Sequence, residues 1–330
     1  MKISVVVPVR NEEDSIRELL DGLLSQTRAP DEIVITDGGS TDATPSIIDD
    51  YVKRDAPVRL IRERAALPGR GRNVGAENAA NEWIAFIDAG TKPERDWLEE
   101  LARRAERKPA VDVVYGAWEP ITDSFFKECA AIAYVPSPVE VEGEQMRPRF
   151  IGSSLMRRDI WRKAGGFPEH LRSAEDILFM ERVAKITFRV AYAPRALVRW
   201  NIQPNFRRTF KRFANYSRHN IRAGLWREWQ SAIFSRYALL ALVALPALLF
   251  GRWWLLVTLA LWLLMLAARA ATAIQRNHHS YPATLTRNLA RLLLLMPIIA
   301  TLDAAAFAGT LNWLIKDKLH LGNAPQEVSG

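Results

Sequence analysis

Cysteine is almost absent: Cys129 is the single one in 330 residues. That excludes a disulfide framework and a cysteine-rich zinc module, and it fits a reducing compartment. Over residues 232–315 lysine is missing altogether and Asp303 is the one carboxylate. A charge-mixed soluble surface is therefore not expected there. The pattern G-x-x-x-x-G-K-[ST] does not occur, nor does G-x-G-x-x-G follow the first apolar run. Those gaps disfavour a P-loop ATPase and a Rossmann dehydrogenase. His170, His219, His278, His279 and His320 show no metal-ligand spacing beyond one adjacent pair, read as loop.

What is present divides near residue 230. Apolar residues make up 49% and charged residues 25%, a globular composition. The net charge of +8 fits nucleic acid, an anionic membrane surface or phosphorylated substrates. Three apolar runs fill the last third, at 237–250, 253–268 and 292–315. A bilayer crossing takes about 20 apolar residues. The third run reaches that length; the first reaches it by starting near residue 232, with Arg236 snorkelling to the interface. Six of eleven tryptophans lie here (Trp226, Trp229, Trp253, Trp254, Trp262, Trp313), as in an interfacial belt. Two or three crossings are expected, from 232 to 316, followed by a polar tail at 317–330. Asp303 is read as paired with another helix in preference to lining a headgroup path.

Ahead of the runs, residues 205–231 are basic and aromatic, with Arg207, Arg208, Lys211, Arg212, Arg218, Arg222 and Arg227 among Phe206, Phe210, Phe213 and Trp226. The spacing is helical. A helix in the headgroup layer, its cations on anionic lipid, is preferred to one packed on the preceding domain. The same charges place the chain before them on the cytoplasmic side of a multi-pass cell-membrane protein. A nucleic-acid partner is disfavoured, because the cations abut apolar runs. The opening residues, at 3–7, are too short for a secretory apolar region and read as a first strand.

The first 204 residues alternate. Strands are predicted at 3–7, 33–36, 58–61, 83–87 and 111–115, and helices at 13–26, 44–54, 71–81 and 97–107. This rhythm predicts an α/β domain with a doubly wound, mainly parallel sheet. Ligands in such sheets bind beyond the carboxyl ends of the strands. Polar residues gather there: Pro8, Arg10 and Glu12 after the first strand, Asp37, Gly39, Ser40 and Asp42 after the second, Asp88 and Lys92 after the fourth. Asp37, ahead of two glycines, is read as a ligand for a base or ribose; Ser40 and Asp42 could cap the helix from 44. Gly69, Arg70, Gly71, Arg72 and Asn73 form a basic, glycine-rich turn ahead of a helix, suited to phosphate.

In order, the pieces are V-P-V-R-N-E at 7–12, D-G-G-S-T-D at 37–42, G-R-G-R-N-V-G at 69–75, F-I-D-A-G at 86–90, G-G-F at 165–167 and A-E-D at 174–176. Together they resemble the family 2 glycosyltransferases of GT-A fold. The resemblance implies that Pro8, Arg10 and Glu12 line a nucleotide pocket and that Asp37 reads the base, most often uracil. Arg72 would meet the nucleotide or its diphosphate. Asp88 would open the D-x-D motif that holds Mg²⁺ or Mn²⁺. Asp176 would be the general base, with Glu175 beside it, in a single displacement that inverts the anomeric centre. Its partners would be a nucleotide sugar, UDP-linked as is most usual in that family, and a lipid or lipid-linked glycan acceptor.

Two departures matter. Gly90 stands where the second aspartate of D-x-D is usual. Either Asp88 binds the metal with water and phosphate oxygens, or Lys92, Arg70 and Arg72 replace part of its charge. The Q-x-x-R-W motif of processive synthases is absent, which favours transfer of one sugar per event. On the acceptor side, a strand at 150–158 brings Gly152 and Ser153 to the sheet centre, and Trp200 is read equally as platform or packing. Residues 135–149 are read as a mobile loop over substrate. The alternative reading is a nucleotide-sugar-binding membrane scaffold impaired by Gly90.

Overall fold

The computed structural model describes residues 1–54, 56–107, 110–141 and 143–319. His320 and nearly all of the expected polar tail lie outside them. The chain forms two compact units, Met1–Ile121 with Pro138–Asn201, and Thr122–Ser137 with the residues from Ile202 onward. Residues 122–137, which precede much of the first unit in sequence, thus group with the C-terminal helices.

The first unit is built on ten strands: β1 (Ile3–Val9), β2 (Glu32–Asp37), β3 (Val58–Arg62), β4 (Trp83–Ile87), β5 (Thr91–Pro93), β6 (Val113–Ile121), β7 (Val139–Val141), β8 (Glu144–Met146), β9 (Ser153–Arg157) and β10 (Val190–Asn201). Eight form one sheet in the order β3-β2-β1-β4-β9-β6-β10-β5, and β7 pairs with β8. Four neighbouring pairs are parallel, β3–β2, β2–β1, β1–β4 and β6–β10. The three involving β9 or β5 are antiparallel, so the sheet is mixed. Val5, Val6 and Val7 are fully buried, as in a strand covered on both faces.

Six helices cover this sheet: α1 (Ile16–Leu24), α2 (Thr44–Lys53), α3 (Pro68–Asn78), α4 (Trp97–Glu106), α6 (Arg158–Lys163) and α7 (Glu175–Ile186). In α1 the buried side chains Ile16, Leu19, Leu20 and Leu23 make the apolar stripe that the sequence shows. Two expectations change. The glycine-rich turn at 69–73 is the opening of α3 itself, because Pro68 sits in its first turn, where a missing N–H costs nothing. The loop expected at 135–149 contains the β7–β8 hairpin, aided by Gly143 at φ +83°.

The second unit is helical: α5 (Phe125–Tyr134), α8 (Phe206–Arg222), α9 (Trp226–Trp229), α10 (Ser231–Ala244), α11 (Ala247–Phe250), α12 (Trp254–Arg276) and α13 (Leu285–Trp313), continued by a π-turn at Leu314–Lys318. Three stretches are long and apolar enough to cross a membrane: Ser231–Phe250, Trp254–Arg276 and Leu285–Lys318. The first gains its length by running from α10 through Pro246 into α11.

The basic helix α8 pairs along α13. Ser217 Oγ donates to Ala306 O at 2.8 Å, and a Cβ on Gly309 would lie 2.3 Å from Ala214 O. Small residues at such a crossing let two backbones close on each other. Arg207, Arg208 and Lys211 stay exposed. From α5, Cys129 and Ile132 pack with Leu266, Ala270, Leu295 and Ile298. Burial pushes the Cys129 thiol up to about 12, so it is an inert packing group. Asp303 has a helix partner: Arg269 grips both its oxygens, and Tyr237 donates to Oδ2 at 3.1 Å.

Candidate active site

The parallel strands β1, β2 and β4 end together, and their following loops carry the polar residues. Asp37 closes β2 opposite Val9 of β1, and Gly38 N donates to Val9 O at 2.9 Å. Asp88 follows β4, on the other side of β1. With strands about 4.8 Å apart, Asp37 and Asp88 flank the β1 end across roughly 10 Å. Gly71 of α3 crosses there; a Cβ on it would stand 3.0 Å from Pro8 Cβ. This close approach sends Arg72 inward under the sheet end.

Arg72 is 4% exposed. Its Nη2 donates to Asp88 Oδ1 at 2.6 Å and its Nη1 to Glu175 Oε1 at 2.7 Å. The guanidinium also lies 5.4 Å from the Phe167 ring centre, a cation–π contact. Phe167 stacks on Phe179 at 3.9 Å. Asn73 fixes this turn: it accepts from Phe167 N at 2.7 Å and donates to Phe167 O at 2.9 Å. Gly165 and Gly166, at φ +73° and +65°, supply the left-handed backbone the turn requires.

Helix α7 then presents Glu175 and Asp176 in its first turn. Ala174 before them has φ +67°, a left-handed conformation that costs a non-glycine residue energy. Glu175 is buried, and its Oε2 has no hydrogen-bond partner. Asp176 stays partly exposed, and its Oδ1 accepts from Ile177 N at 2.9 Å. It lies within the electrostatic reach of Arg72 and Asp88.

Three carboxylates thus share one guanidinium. Burial, joined by the charge of Asp176, pushes Glu175 up to about 7 against the pull of Arg72. Burial also raises Asp176, with Arg72 opposing and Asp88 adding to the rise. Burial works against the charge on Arg72, but Asp88, Glu175 and Asp176 outweigh it and hold the proton more firmly than usual. A carboxylate so poised, partly open to solvent, is suited to accept a proton.

Other expected residues fall around this cluster. Asp37 is buried and accepts from Ser40 N at 3.1 Å and Ser40 Oγ at 2.5 Å. Ser40 therefore braces Asp37 and does not cap α2. Asp42 accepts from Thr44 N at 3.0 Å and Glu13 N at 3.3 Å, which ties two loops together. Pro8 is half-buried, Arg10 is exposed, and Gly39 turns at φ +81°. Glu12 accepts from Ser15 Oγ at 2.6 Å, toward the start of α1.

Three expected residues are engaged elsewhere. Arg70 pairs with Glu63 at 3.1 Å and Glu169 at 3.4 Å. Lys92 pairs with Glu18 at 2.7 Å, and both are exposed. Of the three cations read as a substitute for metal charge, Arg72 is the one paired with Asp88 here, while Arg70 and Lys92 hold other carboxylates. Ser153 is also corrected. It is fully buried, accepting from Trp97 Nε1 at 3.0 Å and donating to Ala196 O at 3.1 Å, so its hydroxyl is spent in the core.

Gly152 stays beside the cluster: a Cβ there would meet Asp88 Oδ2 at 3.0 Å and the Phe150 ring at 2.6 Å. Phe150 continues to Trp118 at 5.6 Å and Trp118 to Trp200 at 5.7 Å. Sequence reading missed Trp118 and Phe150 in this row of rings, the bracing of Phe167 by Asn73 and the strained backbone of Ala174. Asn73 and Phe167 sat inside quoted motifs; the left-handed φ of an alanine leaves no trace in sequence.

Among the described residues, no three His, Cys, Asp or Glu side chains gather as a metal cage. Asp88 Oδ1 is taken by Arg72, whereas Oδ2 accepts no hydrogen bond from the described residues and faces Gly152. One open carboxylate oxygen fits a divalent cation whose shell is completed by phosphate oxygens and water.

Residues 4–163 match the family described as Glycosyl transferase family 2. Among curated proteins, the uncharacterized glycosyltransferase EpsJ of Bacillus subtilis strain 168 is 27% identical over 219 residues, 62% of this chain and 62% of EpsJ. The chain therefore spans less than two thirds of that relative's length. Among solved structures, residues 1–349 of TarS from S. aureus, in complex with UDP-GlcNAc, superpose with a TM-score of 0.51 at 18% identity, covering 100% of this chain and 95% of that one. The mannosyltransferase PcManGT of Pyrobaculum calidifontis, in complex with GDP-Man and Mn²⁺, gives 0.54 at 21% identity, covering 95% of this chain and 87% of that one. These similarities give the fold.

Proposed function

We propose, from the match of residues 4–163 to the family described as Glycosyl transferase family 2, that the protein moves one sugar from a nucleotide-sugar donor to a lipid or lipid-linked hydroxyl acceptor, with inversion. The observation that carries this reading is the Arg72 fork between Asp88 and Glu175, with Asp176 partly open beside it.

In this reading the nucleoside lies over Pro8, Arg10 and Gly39, and Asp37, held rigid by Ser40, accepts from its base or ribose. Its pyrophosphate extends across the β1 end toward Asp88. Asp88 Oδ2 would hold Mg²⁺ or Mn²⁺, which when bound supplies positive charge to the departing diphosphate. The acceptor enters over Gly152, where the absent side chain leaves Asp88 accessible, with Trp118, Phe150 and Trp200 alongside. Asp176 takes the proton of the acceptor hydroxyl as that oxygen bonds to the anomeric carbon and the bond to the diphosphate breaks. Attack from the opposite face inverts the centre. Glu175 does not take that proton; it anchors Arg72, which keeps Asp88 in place.

The three apolar helices support membrane attachment, and the surplus of arginine ahead of them supports a cytoplasmic catalytic unit. Anionic lipid is the expected counter-charge for Arg207, Arg208 and Lys211. The test is transfer from UDP- and GDP-sugars to a membrane lipid extract. Turnover that disappears in Asp176→Asn while nucleotide binding persists supports the enzyme. No transfer from the intact protein with any donor would leave the binding scaffold instead.

A further inference from the structure

The second unit holds a charge that none of its described side chains neutralises. Asp303 of α13 is 1% exposed and is satisfied by both arms of Arg269 from α12 and by Tyr237 of α10. Trp262 Nε1 donates in turn to the Tyr237 hydroxyl at 3.1 Å. Arg269 and Asp303 cancel each other. Arg236, one residue before Tyr237, lies in the electrostatic reach of both. Its Nη1 is buried and has no hydrogen-bond partner among the described residues. The cluster of two arginines and one aspartate therefore carries a surplus of one positive charge inside a bundle of apolar helices.

Such a surplus is costly in hydrocarbon unless an anion meets it. Arg236 lies five residues into the Ser231–Phe250 stretch, and Arg269 seven residues before the end of Trp254–Arg276. At 1.5 Å per residue these are depths of roughly 8 and 10 Å, within reach of a headgroup by a long side chain. Beside the cluster, α10 and α12 leave a groove of about 490 Å³, lined by Tyr237, Leu240, Ala241, Ala244, Leu259 and Trp262 among others. Its walls are hydrocarbon, and its polar end is the Tyr237–Trp262 pair that touches Asp303. Arg236, with Nη1 unpartnered among the described residues, thus stands one residue before Tyr237, at the polar end of this apolar groove along α10.

We propose that this groove holds one chain of a phosphate-headed lipid, whose phosphate oxygens accept from Arg236. Guanidinium is the side chain best matched to a phosphate in two-pronged geometry. The proposal rests on the reading of α10–α13 as membrane-embedded, and does not depend on what the other unit transfers.

The test uses the full chain, purified in detergent and stripped of lipid, with binding followed by native mass spectrometry. Dioleoylphosphatidylglycerol is compared with dioleoylglycerol, which has the same chains and no phosphate. The phospholipid is expected to bind at least about tenfold more tightly, since a charge-assisted hydrogen-bonded pair is lost with the phosphate. Arg236→Gln should remove that advantage and Arg236→Lys keep most of it. Ala241→Trp, which fills the groove, should weaken both lipids. Equal binding of the two lipids, or phospholipid binding unchanged in either Arg236→Gln or Ala241→Trp, overturns the proposal. Carbonate washing of membranes separates the two levels: a chain that stays in the membrane while failing the lipid test keeps its anchor and loses only this site. A chain that washes off loses the anchor and the site together.

Discussion

Two buried arginine–carboxylate clusters, one in each unit, balance their charges in opposite directions. In the first, Arg72 serves Asp88, Glu175 and Asp176, so carboxylate is in excess. In the second, Arg269 and Arg236 face only Asp303 among the described residues, so cation is in excess. A buried cluster with surplus negative charge takes up protons or metal; Glu175 is already pushed up to about 7. One with surplus positive charge recruits an anion. The same side-chain types therefore point to proton transfer in one unit and to lipid in the other, and the sign of the remainder decides which.

The largest way to break the comparison is to remove the proposed base. Asp176→Asn is expected to cut transfer about a hundred- to ten-thousand-fold with donor affinity little changed, measured by single-turnover kinetics and nucleotide titration. Its pH profile sharpens the point. A base works ionised, and burial raises Asp176, so activity should climb with pH through a value above the ordinary 3.8. An acid limb at or below 3.8 contradicts the assignment. Next comes Arg72→Gln, which leaves three carboxylates without their cation. A loss of about 3–5 kcal/mol in chemical unfolding of the first unit is expected.

In the second unit, Gly309→Ala puts a methyl against the Ala214 carbonyl, at 2.3 Å from its oxygen. Overpacking of about 1–3 kcal/mol should appear as a lower melting temperature in detergent, with the α8–α13 crossing loosened. The smallest effect belongs to Lys92→Ala. Its exposed pair with Glu18 is worth less than about 1 kcal/mol, and the metal dependence of donor binding should not move. A strengthened metal requirement in that variant would return Lys92 to the site.

Much of the first unit was legible because its signals are local. Strand 3–7 is β-branched and bounded by Pro8, and the α1 leucines recur at helical spacing, so both could be read from neighbouring residues alone. Where nonlocal pairing decides, legibility failed. β9 looks like any apolar strand, yet it runs antiparallel between β4 and β6. Ser153 looked like a ligand next to Gly152, yet the alternation of a strand turns its hydroxyl to Trp97 and Ala196. The basic turn at 69–73 held two arginines two positions apart, and only helical geometry sends Arg72 inward and leaves Arg70 with Glu63 and Glu169.

By itself the sequence determined most of the strand and helix order as far as residue 115, the polar residues at the strand ends and the three apolar stretches, since each follows from contacts within a turn or from the period of burial. Only the tertiary structure decided which carboxylates meet Arg72, that residues 122–137 group with the C-terminal helices, and that Asp303 leaves Arg236 unmatched. Arg72 and Glu175 are 103 positions apart. No local pattern encodes such a meeting, because the energy of a buried ion pair depends on what the fold places within a few ångströms of it.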